Sequence, residues 1–155
     1  MTKKKNDKLY NVILPTSEKE KLPITIPQYN NIVIGMTFIR LNGKYGLDDF
    51  CSLHRKISDR DIYDEFYAFK NTARKYTEML EFLKAFSPKN GQPKKSDFQE
   101  EEAKRLKAQY DIDVDIHHIK HVHARPHGNG ETVIWGYTYD NIFEILAIDP
   151  KHDSI

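Results

Sequence analysis

Apolar side chains recur along this chain in two rhythms, and each predicts its own kind of element. The helical rhythm runs through Ile62, Phe66, Phe69, Ala73, Tyr76, Leu80 and Leu83, in steps of four and three. Such steps put every one of these side chains on one stripe of an α-helix. They predict a long helix over residues 62–86, opened by Ser58-Asp59-Arg60-Asp61, whose serine oxygen suits a capping role. Pro88 stops it, because the residue before a proline is pushed out of the helical region. A shorter helix over residues 97–110 follows a second capping box, Ser96-Asp97-Phe98-Gln99. Its apolar face (Phe98, Ala103, Leu106 and Tyr110) is narrow, which predicts a place on the surface.

The second rhythm has period two, the signature of strands. Residues 31–41 are β-branched and largely apolar, and they end at the turn signal Asn42-Gly43. Ile112, Val114 and Ile116 alternate with Asp113 and Asp115, and the alternation slips by one residue at His117-His118. A slip of one residue sends every later side chain to the opposite face, so a bulge or strand break is expected there. Residues 132–148 read as a hairpin closed by Asp140-Asn141, which tolerate the positive φ of a two-residue turn. In that register Tyr137 faces Glu144, Gly136 faces Ile145, Trp135 faces Leu146, Ile134 faces Ala147 and Val133 faces Ile148. Both faces of this hairpin are apolar near its middle, which predicts a central position in the sheet with helices covering one side.

These elements add up to an α+β fold: a mainly antiparallel sheet of about four or five strands, one long helix packed on a face, and a second, shorter surface helix. Residues 1–22 are polar and irregular and read as a loosely held basic N-terminal arm; residues 23–155 read as a single α+β domain.

Composition narrows the picture further. A chain of 155 residues with 12% aromatics can bury a real core. The lone Cys51 excludes an internal disulfide framework and a multi-cysteine zinc site, which suits a reducing cytoplasm. No apolar run approaches the roughly 20 residues that span a bilayer, so no membrane association is expected. The basic start, Met1 to Lys8, has no apolar region after it and is not a secretory signal. A net charge of +1 argues against indiscriminate nucleic-acid binding, which needs many phosphates neutralised.

Candidate chemistry concentrates in the last third, which holds six of the seven histidines. Imidazole titrates near neutral pH and serves as acid, base or metal ligand. His121 and His123 share one face of a strand and His127 lies one loop away, so three imidazoles are expected to converge. One use of them is a zinc site, with Asp115 or His117 as a further ligand, although the spacing matches no established zinc signature. The preferred use needs no metal or other cofactor: acid–base cleavage of RNA beside a 2′-hydroxyl, with His121, His123, His127 and Tyr137 as catalytic groups. Arg125 and Lys151 would contact the phosphate there. Lys94 and Lys95 belong to a second basic stretch, with Lys89, Lys104, Arg105 and Lys107, that suits a phosphate backbone or simply forms a solvated helix face.

The chain resembles a poorly characterised group of small bacterial and mobile-element proteins. The resemblance rests on Thr37-Phe38-Ile39-Arg40-Leu41 and Lys44-Tyr45-Gly46-Leu47 near the start. At the other end it rests on His127-Gly128, Gly136-Tyr137, Asp140-Asn141-Ile142-Phe143 and Ile148-Asp149-Pro150-Lys151-His152. In layout, with helices ahead of a terminal antiparallel hairpin, it is also similar to the RelE/ParE toxin superfamily. The clustering of titratable and cationic groups beside a rigid hairpin makes a toxin-like or defence-associated bacterial protein acting on RNA the leading expectation. The competing expectation is a non-enzymatic interaction module, an inhibitor or adaptor from a phage or other mobile element, that binds a protein partner.

Overall fold

The computed structural model describes residues 30–53, 55–57, 59–87, 97–127 and 132–154; the expected N-terminal arm, Ser58, Lys94 and Lys95 lie outside them. In chain order the elements are β1 (Val33–Gly35), α1 (Leu47–Ser52), β2 (Lys56–Ile57), β3 (Arg60–Asp61), α2 (Ile62–Ala73), α3 (Met79–Phe86) and α4 (Asp97–Tyr110). A single 3-10 turn, Ile116–His118, then leads into β4 (Ile119–His123), β5 (Val133–Tyr139) and β6 (Ile142–Asp149).

The α+β class holds, but the sheet is mixed, not mainly antiparallel. Its order is β1-β6-β5-β4, with β4–β5 and β5–β6 antiparallel and β1 lying parallel to β6. The reason is the crossover: helices carry the chain from β1 to the far edge, and the β4–β5–β6 meander then returns it alongside β1. A separate two-residue hairpin, β2–β3, precedes α2. The terminal hairpin is central, as its two apolar faces require, and Asp140 takes φ 49° in the two-residue turn.

The long helix of the sequence pattern is two helices. Lys75 and Tyr76 donate to carbonyls three residues back and close α2, and Glu78 opens α3 in an extended conformation. The break frees the Tyr76 carbonyl to accept from the Ile32 amide at 2.7 Å, tying the helix pair to the start of β1. The stripe survives the break, because the Tyr76 ring packs on Phe82 and Phe86, though Leu80 is 60% exposed.

Helices also cover both faces of the sheet, not one. Phe69, Phe82 and Phe86 of α2 and α3 pack against Val122, Ile134, Phe143, Ile145 and Ile148. Phe98 and Leu106 of α4 pack on the other face against Ile119, Val133, Trp135, Leu146 and Ala147. The second helix is therefore a core element, and its face is wider than its apolar residues suggest. Glu102, between Phe98 and Leu106 on the same stripe, is fully buried, and Arg40 and Arg105 both pair with it.

The hairpin register holds at Tyr137–Glu144 and Gly136–Ile145 and then shifts. Trp135 faces Ala147, Ile134 faces Ile148 and Val133 faces Asp149, leaving Leu146 as the extra residue of a β-bulge. The bulge lets Leu146 and Ala147 both join the α4 side, which a strict alternation forbids. Residues 112–115 form no strand, since Asp111 turns to φ 55° after α4. The break expected at His117-His118 is present as the 3-10 turn, whose cap, Asp115, accepts from the His117 amide at 2.9 Å.

One buried carboxylate fixes the entrance to β5. Glu65 of α2 accepts from the Thr132 amide at 3.1 Å and the Thr132 hydroxyl at 2.7 Å, with Arg60 3.4 Å from its other oxygen. Glu65→Ala leaves the buried amide unpaired and is expected to cost about 2 kcal/mol, read as a lower urea midpoint. A midpoint equal to the parent's would mean that Thr132 needs no partner there.

Candidate functional site

Period two on β4 sends Ile119, His121 and His123 to the α4 side of the sheet, and Val122 to the other. His121 packs against Trp135, its cross-strand partner, with centroids 5.1 Å apart. The His123 ring lies 6.0 Å from His121 and 5.0 Å from His152.

His152 comes from the segment after β6, and two contacts bring it back. The buried Asp149 carboxylate accepts from the amides of Lys151 at 3.1 Å and Ser154 at 2.7 Å. Trp135 donates its indole N–H to the Ser154 hydroxyl at 2.9 Å. His152 itself takes φ 66°, a region few side-chain-bearing residues adopt, and such strain concentrates at functional positions. Lys151 is exposed beside it.

Within this trio, four buried ring nitrogens have no hydrogen-bond partner among the described residues: His121 Nδ1, both nitrogens of His123, and His152 Nε2. Each unpaired buried polar atom costs about 1–3 kcal/mol, so the arrangement opposes stability. Buried polar atoms without partners are uncommon in folded proteins, so four in one cluster single this place out. Burial holds the His121 pKa below that of a free imidazole, and positive charge on His152 lowers it further. His123, 2% exposed, is pushed down to about 4, mainly by burial and further by its two histidine neighbours.

The other expected site residues fall elsewhere. His127 does not converge with His121 and His123: its amide donates to the Ala85 carbonyl of α3, on the opposite side of the sheet, and its ring is exposed. The chain turns there because His127 adopts φ 55° directly after Pro126. Tyr137 shares the trio's face but sits two residues further along β5, where its ring meets His118 and Tyr139. Arg125 is exposed in the same turn as His127. The second basic stretch is partly neutralised, since Arg105 pairs with Glu102, and Lys107 with Asp111 and Asp113.

Among the described residues, no group of three His, Cys, Asp or Glu side chains is placed to hold a metal ion, so the zinc set of His121, His123 and His127 is not assembled. No described helix is long and apolar enough to cross a membrane. Trp135 and Ser154 were not legible as site residues, because one reads as core and the other as a loose end. Comparison of the chain with known protein families, curated proteins and solved structures returned no match in any of the three.

Proposed function

We propose that this chain is a toxin-like or defence-associated protein that cleaves RNA by metal-independent acid–base chemistry, with His121 and His152 as the working pair. The observation that supports it is the trio itself: three imidazoles in ring contact, with four buried nitrogens unpaired.

Cleavage beside a 2′-hydroxyl needs a base to take its proton as the oxygen attacks phosphorus, and an acid to protonate the departing 5′-oxygen. His121, whose pKa is held below that of a free imidazole by burial and by the neighbouring His152, suits the base. His152, next to the exposed Lys151, takes the role of the acid. His123 is too buried to meet RNA and acts as a positioning residue between the two rings. Lys151 provides the exposed cation for the phosphate.

In cleavage assays with the full chain, His121→Ala and His152→Ala are each expected to lose about 100-fold, while His127→Ala keeps the parent rate. The parent should work in the presence of a chelator and leave 2′,3′-cyclic phosphate ends. Absence of cleavage by the parent, or equal rates in all three variants, would reject the reading. A second reading, a protein-interaction module, draws on a different part of the molecule: the outer edge of β1.

A further inference from the structure

β1 is an edge strand, and its outer side opens onto a groove of about 480 Å³ lined by Asn31 to Ile34 on one wall and Lys70 and Arg74 on the other. The direction of the backbone there follows from the ladder. The Val33 amide donates to the Asn141 carbonyl, toward β6. Successive residues of a strand point their backbone groups to opposite sides, so the N–H and C=O of Ile34 face the groove. The preceding outward amide, that of Ile32, is taken by Tyr76. No described backbone group outside the ladder is bonded to Ile34. A strand edge of this kind is a template for another extended chain.

The opposite wall carries the specificity. Tyr67 and Lys70 of α2 and its C-cap residue, Arg74, follow one another at helical spacing and form a single stripe. Tyr67 is 68% exposed, and no described carboxylate lies within ion-pair distance of Lys70 or Arg74. Arg40, Arg55 and Arg105, by contrast, pair with carboxylates: Arg40 with Glu101 and Glu102, Arg55 with Asp61 and Asp64, Arg105 with Glu102. Two cations with no carboxylate partner among the described residues, beside a β-edge, define a complementary ligand. It is extended, apolar on alternate residues so as to continue the surface of Val33, and acidic toward α2.

The geometry points to this groove as a docking site for an acidic, extended peptide segment of a partner protein, which adds as a strand to β1 and sets its carboxylates against Lys70 and Arg74. Backbone pairing would supply the attraction and the two cations the choice of partner. The inference stands independently of whether the histidine trio cleaves RNA, since the two sites use different residues.

The test uses the full chain and two fluorescein-labelled octapeptides, one alternating valine with glutamate and the other valine with lysine, followed by anisotropy. Saturable binding of the glutamate peptide is expected, at least tenfold tighter than the lysine peptide and weakening as salt is raised. Lys70→Glu combined with Arg74→Glu should reverse the preference. Ile34→Pro removes the outward N–H while leaving Val33 and Gly35 to β6, and should abolish binding of both peptides; circular dichroism checks that each variant folds. Absence of glutamate-peptide binding, equal affinity for the two peptides, or an unchanged preference in the charge-reversed variant would overturn the proposal. So would a concentration-dependent dimer that the glutamate peptide fails to compete with, since a second copy of the chain would then own the edge.

Discussion

Gly136→Ala is expected to lower the stability of this protein by about 3 kcal/mol, the upper end of what overpacking a core costs. An added methyl group would lie 2.3 Å from Phe143 Cζ and 2.4 Å from Cε1. The ring cannot yield: Phe143 is fully buried and meets Phe69 at 6.2 Å and Phe82 at 5.3 Å between centroids. The backbone has little freedom either, since Gly136 adjoins the bulge and lies between two paired strands. Urea unfolding followed by far-ultraviolet circular dichroism measures the loss. Phe143→Leu in the same chain should recover part of it, giving a non-additive pair. By contrast, Gly43→Ala meets nothing within 4 Å and suffers only from its φ of 82°, for about 1 kcal/mol. Coincident midpoints for the parent and Gly136→Ala would mean that the aromatic layer is looser than its contacts imply.

Acid should weaken the fold through His123 by a comparable amount. Its folded-state pKa is about 4, against an ordinary imidazole value of 6.5. Between those values the unfolded chain binds the proton and the native chain does not, so stability rises with pH across that window. The fold is therefore at full strength above pH 6.5 and loses about 3 kcal/mol as pH falls to 4, at 1.36 kcal/mol for each pH unit. His121, shifted in the same direction, adds to the slope. Unfolding free energies at pH 7 and pH 4.5 should differ by less in His123→Leu than in the parent, because the leucine binds no proton in either state. An equal acid loss in the two chains would remove His123 as the cause.

What the sequence reveals of this fold depends on whether the deciding contact is local. The Asp140-Asn141 turn and the first two pairs of its hairpin follow from residues adjacent in the chain, and they hold. The bulge at Leu146 is not visible there, because it answers to α4 arriving from the other side of the sheet. The helix break is equally remote in origin: nothing between Arg74 and Glu78 resembles a proline or glycine stop, and the competing partner of the Tyr76 carbonyl is Ile32. Glu102 stands in a run of three glutamates that reads as solvated, yet its spacing from Phe98 and Leu106 placed it inward all along. At the candidate site, period two sufficed to pair His121 with His123. The third ring was misassigned because His127 and His152 both follow a proline-containing turn, and only the α3 and Asp149 contacts decide which one swings back.

Trp135, the only tryptophan of the chain, is fully buried and touches the ring of His121 on one side and the Ser154 hydroxyl on the other. The protein thus carries a built-in optical gauge with no background. Its emission senses imidazolium charge, which quenches indole, and wetting of the indole N–H when the tail lifts, which shifts the spectrum red. Titration, ligand arrival and detachment of the last residues can therefore be followed by light, in real time and without a label.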